Sequence, residues 1–142
     1  MVFKSIREIL DGRRFARIRP DATLEAASDL MREERVWVLP VTVDDALAGI
    51  ITERDILRHV SQRGGFATAP VAEAMTVSVV TVETRSSVVD ALERMLSTGF
   101  RRLPVLDTGQ KVVGLLSVED IPLDYKAMRP RYVAWRSGVA AE

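Results

Sequence analysis

The chain has 142 residues, of which 47% are hydrophobic and 28% charged, and its 20 basic and 20 acidic residues leave a formal net charge of zero. This length and composition fit one compact folding unit, or two small lobes that share a core. The balanced charge provides no overall field that would attract nucleic acid or an anionic membrane. The absence of cysteine excludes disulfides, thiol nucleophiles and cysteine-based metal sites.

The amino-terminal segment carries charges at Lys4, Arg7 and Glu8 and lacks a long apolar run. It therefore does not resemble a secretory signal peptide, and no stretch of the chain approaches the length of a membrane span. A cytoplasmic protein is the expectation. Residues 6–10 are predicted to form a short lead-in to the first folded segment.

The first half of the chain predicts a strand, a helix, two strands and a second helix. Apolar residues at helical spacing, Leu24, Ala27, Leu30 and Met31, mark the first helix, and Asp21 or Thr23 can cap it. The closing helix is expected to end before the two glycines at 64 and 65. The predicted strands are residues 15–18, 36–43 and 47–52, the closing helix is 53–62, and the linker is 63–70.

The second half predicts the same order of elements after a short helical lead-in at residues 71–75. The strands are expected at 79–82, 103–106 and 112–116, and the helices at 87–97 and 118–127. Polar turns separate the last two strands of each half, so each of these strand pairs is predicted to form a hairpin.

An internal repeat underlies this parallel order. The sequence Gly-Ile-Ile-Thr-Glu-Arg-Asp-Ile at 49–56 returns as Gly-Leu-Leu-Ser-Val-Glu-Asp-Ile at 114–121, and a Leu-Pro-Val triplet precedes each copy. The prolines, Pro40 and Pro104, lie 64 residues apart, whereas the glycines, Gly49 and Gly114, lie 65 apart. The extra residue falls in the predicted hairpin turn, where a change of length is tolerated. Two copies in register are a stronger signal than any local pattern.

The repeated polar residues are chemically suited to a nucleotide. Thr52 and Ser117 lie where a strand becomes a helix, so each can cap that helix beside amides that favour a phosphate. Asp55 and Asp120 follow three residues later, where a carboxylate can accept two hydrogen bonds from a ribose diol. The same spacing is also close to a capping box, which would explain both pairs without a ligand.

With this doubled motif, the chain resembles a pair of CBS domains, also called a Bateman module. The resemblance implies an α+β fold of two tandem β-α-β-β-α repeats related by a pseudo-twofold axis and forming one compact module. On this reading, residues 6–63 and 71–128 are the repeats and 129–142 are a tail. It also implies a homodimer and an adenosyl ligand in the cleft between repeats, with AMP, ADP, ATP, NAD and S-adenosylmethionine all open.

The two copies predict unequal sites, because Arg54 of the first motif is replaced by Glu119 in the second. The first copy, with Thr52, Arg54 and Asp55, is therefore the expected phosphate site. Ser117 is a further phosphate candidate, and so is Arg35, because the resemblance implies a basic residue near this position. One of the pair Arg101 and Arg102 is also a candidate, since adjacent strand residues face opposite sides and only one of the two can enter a given cleft. The resemblance also suggests that Thr81 contacts the base.

No catalytic or metal-ligating constellation is visible in the sequence, so an enzyme is not expected. The only histidine, His59, is predicted to lie on the surface. The basic, aromatic tail could contact a partner or nucleic acid, but Tyr132 and Trp135 are predicted to pack on the module or at a dimer interface. The favoured function is a regulatory nucleotide sensor without a fused effector domain, which would act through a dimer or an effector protein in trans. The alternative is a ligand-free interaction scaffold, for which Trp37 is a further candidate contact.

Overall fold

The structure, a computed structural model, describes residues 5–127 and Tyr132, and it has the α+β architecture that the sequence predicts. The first half begins with a short helix whose Ser5 hydroxyl accepts a hydrogen bond from the Glu8 amide at 3.2 Å. Thr23 caps the next helix, and its hydroxyl accepts from the amide of Ala26 at 3.0 Å. The elements of this half are α1 (Ile6–Leu10), α2 (Leu24–Glu34), β1 (Val38–Val43), β2 (Ala46–Thr52) and α3 (Glu53–Arg63).

The second half follows the same order. Its first full helix begins with a capping box, in which Ser87 and Asp90 exchange hydrogen bonds between side chain and backbone. The elements are a 3₁₀ turn (Val71–Glu73), β3 (Val82–Glu83), α4 (Val88–Thr98), β4 (Arg102–Leu106), β5 (Val112–Ser117), a second 3₁₀ turn (Val118–Asp120) and α5 (Leu123–Ala127). Strand β3 pairs in parallel with β4, which also neighbours β5.

Three predicted elements differ from the observed ones. The strand predicted at 79–82 overlaps β3, which spans Val82–Glu83, at one residue only. The predicted strand at 15–18 is reduced to a single parallel bridge between Ile18 and Val41, although its position corresponds to that of β3 beside β4. The predicted helix at 118–127 is divided by Pro122, which lacks an amide hydrogen and disfavours helical backbone at the preceding residue. Ile121 accordingly adopts extended backbone, with φ −80° and ψ 129°.

The two hairpins turn differently. In the first, Asp44 and Asp45 both have positive φ, of 49° and 68°, which suits the two-residue turn that joins twisted antiparallel strands. In the second, residues 107–111 form a longer connection in which Gln110 has a φ of 64°. The length change between the two copies therefore lies at a hairpin tip, as predicted.

The described residues form two compact units. The first-repeat unit contains Arg14–Val79 with Gln110–Val112, and the second-repeat unit contains the described residues up to Arg13, Val80–Gly109, and those from Val113 onward. Each lead-in consequently packs in the unit of the other repeat. Ile6 is fully buried in the second-repeat core, and Val71 is fully buried in the first-repeat core.

The repeated motif glycines receive these lead-ins. A Cβ atom at Gly49 would lie 2.7 Å from the Thr76 carbonyl oxygen and 2.9 Å from the Met75 sulfur. At Gly114 it would lie 2.7 Å from a Leu10 methyl carbon. The glycines are therefore needed for close packing of the chain on strands β2 and β5.

Tyr132 is buried in the second-repeat core, in agreement with the prediction that it packs on the module. It is joined there by Tyr125 and by the buried Lys126, whose ammonium group lies 5.5 Å from the Tyr132 ring centroid. Trp135 and the rest of the predicted tail, 129–142 apart from Tyr132, lie outside the described residues.

Candidate functional site

The first motif places its hydroxyl and its carboxylate at the start of α3. Strand β2 continues directly into the helix through Thr52, which has extended backbone with φ −117° and ψ 165°. The Thr52 hydroxyl accepts a hydrogen bond from the Asp55 amide at 3.2 Å, and the Asp55 Oδ2 atom accepts one from the Thr52 amide at 3.0 Å. Thr52 and Asp55 thus form a complete capping box.

The cap uses only one oxygen of Asp55. This residue is 7% exposed, and its Oδ1 atom faces the Arg58 guanidinium at 3.5 Å, which is ion-pair distance but longer than a charge-assisted hydrogen bond. Because an ionised carboxylate offers about four acceptor positions, the cap leaves Oδ1 able to accept hydrogen bonds from a ligand.

The start of α3 has one backbone donor to spare. The Glu53 amide donates to the Trp37 carbonyl at 3.1 Å, and the Asp55 amide donates to Thr52. The Arg54 amide is the remaining donor of the first turn, and the helix itself offers it no acceptor. The exposed Arg54 side chain also forms no ion pair with the described residues, so both of its donor groups can meet an anion.

Arg35 lies at the other end of the preceding helix. It is the C-cap of α2 in the left-handed conformation, with φ 56° and ψ 44°, and its side chain is exposed. No described contact joins it to Thr52 or Asp55. Its assignment to a phosphate stays a prediction.

The second motif repeats the cap in a shorter turn. Asp120 Oδ2 accepts from the Ser117 amide at 2.8 Å, and the carbonyl of Arg101 accepts from the Val118 amide at 2.8 Å, as that of Trp37 does from Glu53. The helical turn, however, spans only Val118–Asp120. The partial positive charge at a helix amino-terminus therefore favours an anion at the 11-residue helix α3, whereas the single turn after Ser117 is too short to provide it.

The Ser117 hydroxyl is already engaged by the chain. It donates to the Glu119 carboxylate and accepts from the Glu119 amide at 3.4 Å. The bond from Ser117 lowers the pKa of Glu119 below its ordinary value of 4.5, and the positive charges of Arg102 and Arg101 act in the same direction. A negative charge thus lies at this motif where the first motif has Arg54.

Sequence reasoning missed the partner of Asp120. The Arg13 guanidinium Nη1 lies 2.7 Å from Asp120 Oδ1, and both residues belong to the second-repeat unit. With Oδ2 used by the cap, both carboxylate oxygens of Asp120 are engaged. Arg13 lies three residues after Leu10, and the packing of Leu10 on Gly114, which the sequence does not show, brings it to this motif.

Thr81, the predicted base contact, lies just before β3. Its carbonyl oxygen accepts a hydrogen bond from the Arg94 guanidinium of α4, an interaction that the sequence did not indicate. The first repeat has Leu30 at the position of Arg94, 64 residues earlier, so this bond is specific to the second repeat.

The prediction that His59 is exposed is wrong. His59 is 8% exposed, and its Nε2 atom lies 3.3 Å from the Glu73 carboxylate, although neither ring nitrogen forms a hydrogen bond with the described residues. The burial follows from its place on α3, three residues after Ile56, on the face that packs inward. No group of acidic residues, cysteines or histidines among the described residues could hold a metal ion.

No helix in the described part of the chain is long and apolar enough to cross a membrane.

The family model of the CBS domain matches residues 6–62 and again 71–121. An uncharacterized 17.7 kDa protein of Acidianus ambivalens is 37% identical over 106 residues, which are 73% of this chain and 63% of that protein. The CBS domain-containing protein YhcV of Bacillus subtilis is 30% identical over 109 residues, which are 77% of each chain.

Solved structures show the same architecture. A crystal structure of a CBS domain superposes with a TM-score of 0.76 at 32% identity and covers 84% of this chain and 94% of the other. CBSX2, crystallised in complex with AMP, superposes with a TM-score of 0.69 at 26% identity and covers 82% of this chain and 91% of the other.

Proposed function

Since this chain belongs to the CBS-domain family, we propose that it is a regulatory module that binds an adenine nucleotide or a related adenosyl ligand. The first site consists of Thr52, Arg54 and Asp55, and the second site consists of Ser117 and Asp120. The complex of CBSX2 with AMP supports the ligand class. We further propose that the protein lies in the cytoplasm. Because its sequence offers no catalytic constellation, we assign it no enzymatic activity.

One observation carries this proposal. In both motifs the helix cap uses the Oδ2 atom of the aspartate, whereas Oδ1 faces a cationic side chain. A cap alone requires one acceptor atom, so it leaves the second oxygen of the aspartate available to a cation or a ligand. At Asp55 the Oδ1 atom can accept from a ribose hydroxyl while the cap stays intact, so this aspartate can serve both purposes.

The first experiment separates binding from capping. A thermal-shift panel of AMP, ADP, ATP, NAD, S-adenosylmethionine and guanine nucleotides should show stabilisation by at least one adenosyl ligand. At 100 times its dissociation constant a ligand adds about 2.7 kcal/mol. Asp55→Asn should reduce this response because the amide oxygen can still accept from Thr52 but the negative charge is lost.

Asp90→Asn is the matched control, because Asp90 forms the same capping box with Ser87 outside the motif. It should lower the melting temperature of the free protein without altering the ligand-induced shift. A panel with no response, or equal loss of response in Asp55→Asn and Asp90→Asn, would reject nucleotide binding at the motif.

The first site is expected to prefer a phosphorylated ligand. Its α3 helix start, the free Arg54 amide and the Arg54 side chain all favour an anion. Arg54→Gln should weaken AMP binding about tenfold, which corresponds to one charge-assisted hydrogen bond, and leave adenosine binding unchanged. Arg32→Gln is the control, since Arg32 pairs with Asp29 at 3.2 Å on the exposed face of α2.

A second candidate function is a dimerisation scaffold that binds no ligand. Trp37 is 60% exposed and Leu57 70% exposed, and the hydrogen bond from Glu53 to Trp37 holds the start of α3 beside this tryptophan. Large exposed apolar side chains are typical of interfaces. If a second copy covers them, Trp37→Ser should shift the sedimenting species from dimer to monomer, whereas Phe66→Ser, at another exposed aromatic, should not.

A further inference from the structure

Asp120 is covered by a cation of its own chain. The Arg13 guanidinium lies 2.7 Å from Oδ1, the atom that the cap leaves unused, and the Ser117 amide holds Oδ2 at 2.8 Å. The Asp120 side chain is 14% exposed and that of Arg13 is 49% exposed. Arg13 therefore reaches from solvent to the one acceptor that a ribose would need at the second site.

The lead-in segment fixes the position of Arg13. Ile6 is fully buried in the second-repeat core, and the backbone of α1 is tied to it through the Ile6 and Arg7 amides, which donate to the carbonyls of Ser86 and Thr84. Leu10 packs against Gly114, at the start of the same motif that contains Asp120. The Arg13 amide then donates to the Leu10 carbonyl at 3.0 Å, so the residue is held one turn beyond the packed leucine.

The first site lacks this arrangement. Met75 packs against Gly49 as Leu10 packs against Gly114, and both pairings are offset by 65 residues. The residue that corresponds to Arg13 is then Ser78, which is exposed and carries no charge. Among the described residues, the cation that faces Asp55 is Arg58, of the same helix, at 3.5 Å.

We propose that Arg13 guards the second site by competing with the ligand's ribose for Asp120. This inference rests on the proposed function, because it concerns regulation of the same motif. At the first site a ligand meets only the longer contact of Arg58 with Asp55, at 3.5 Å, whereas at the second site it must first displace a guanidinium that lies 2.7 Å from Asp120. The two sites are therefore occupied in order, the first before the second.

The test isolates the second site in the full-length chain. Asp55→Asn removes the carboxylate of the first site, and adenosine is the probe, since it has a ribose but no phosphate that Arg13 could attract. In this background Arg13→Ser, which copies Ser78, should tighten adenosine binding about fivefold in calorimetric titration, the upper range for a partly exposed ion pair. Arg13→Lys keeps the charge and should remain weak.

Two controls separate a guard from a general effect. Arg7→Ser removes an exposed positive charge from the same lead-in and should leave adenosine binding unchanged. Adding Asp120→Asn should abolish the gain from Arg13→Ser, because the competition requires that carboxylate.

The failure of the guard differs from the failure of nucleotide binding. If wild-type protein binds at the first site but Arg13→Ser leaves second-site affinity unchanged or weaker, the guard is refuted and the proposed function stands. If neither wild type nor Arg13→Ser binds any adenosyl compound, or if binding is indifferent to Asp55→Asn and Asp120→Asn, the proposed function fails and the guard fails with it.

Discussion

Arg35 and Gly99 occupy equivalent helix C-caps, and both adopt the left-handed conformation, with φ of 56° and 82°. Glycine adopts it freely, whereas an L side chain is strained there by about 1–2 kcal/mol. The glycine's extra unfolded-state entropy offsets part of that difference. We expect Arg35→Gly to stabilise the chain by about 0.5–1 kcal/mol in urea unfolding, and Gly99→Ala to destabilise it by about 1 kcal/mol.

The same pair of variants tests Arg35 as a phosphate contact. If its guanidinium binds phosphate, Arg35→Gly should weaken AMP binding while adenosine binding stays unchanged. Increased stability with unaltered AMP affinity would show that the side chain takes no part in binding. A loss of stability would contradict the strain argument itself.

Glu119 links the second motif to pH. Its folded-state pKa is lowered, chiefly by the Ser117 hydrogen bond, so its ionised form favours the native state above about pH 4.5. This contribution is lost as the pH falls through the folded pKa. As the pH is lowered from about 5 to 3, the free energy of unfolding measured in urea should therefore fall less for Glu119→Gln than for the wild type. Parallel pH profiles for the two proteins would contradict the assignment.

At the scale of elements, the two motif glycines predict unequal tolerance of a methyl group. A Cβ at Gly49 would meet the Thr76 carbonyl, a backbone atom held in a bridge with Ile50, at 2.7 Å. At Gly114 it would meet the end of the Leu10 side chain, which can adopt another rotamer. Gly49→Ala should cost about 2–3 kcal/mol and Gly114→Ala about 1 kcal/mol, measured by chemical denaturation.

The order of those two values is the critical result. If Gly114→Ala costs as much as Gly49→Ala, the lead-in at Leu10 is as rigid as the backbone at Thr76. The structure identifies the groups that approach the two motif glycines as the lead-ins.

Local signals predicted most elements within one or two residues. Helix α4 was expected at 87–97 and spans Val88–Thr98, because Ser87 supplies a cap and the apolar spacing is regular. The prediction of a strand at 15–18 was wrong. Apolar and β-branched residues show where a strand can form, but not how many backbone hydrogen bonds it makes with the adjacent strand. His59 was misplaced because burial of one polar side chain depends on the packing of a helix face.

The candidate site was predictable where it is local and missed where it is not. The pairs Thr52 with Asp55 and Ser117 with Asp120 are three residues apart, so the capping geometry follows from spacing. Arg13 and Asp120 are 107 residues apart, and only the packing of Leu10 on Gly114 brings them together.

At the scale of the whole molecule, sequence order and packing order differ. Each repeat begins with a lead-in that is buried in the unit formed by the other repeat. Ile6 precedes the first repeat but packs with Leu103 and Leu116, whereas Val71 precedes the second repeat but packs with Leu39 and Ile51. The connectivity thereby makes the stability of each core depend on residues from the other repeat's sequence.

This exchange predicts that a mutation in one lead-in loosens the strands of the other repeat. Ile6→Ala should cost about 2–5 kcal/mol and should speed hydrogen exchange at the amides of β4 and β5 more than at those of β1 and β2, because Ile6 is fully buried in the second-repeat core. Val71→Ala is the reciprocal control. It should cost about 2 kcal/mol and loosen β1 and β2 preferentially. If each variant instead loosened the strands of its own sequence repeat, the lead-ins would not be exchanged, and Leu10 could not hold Arg13 against Asp120.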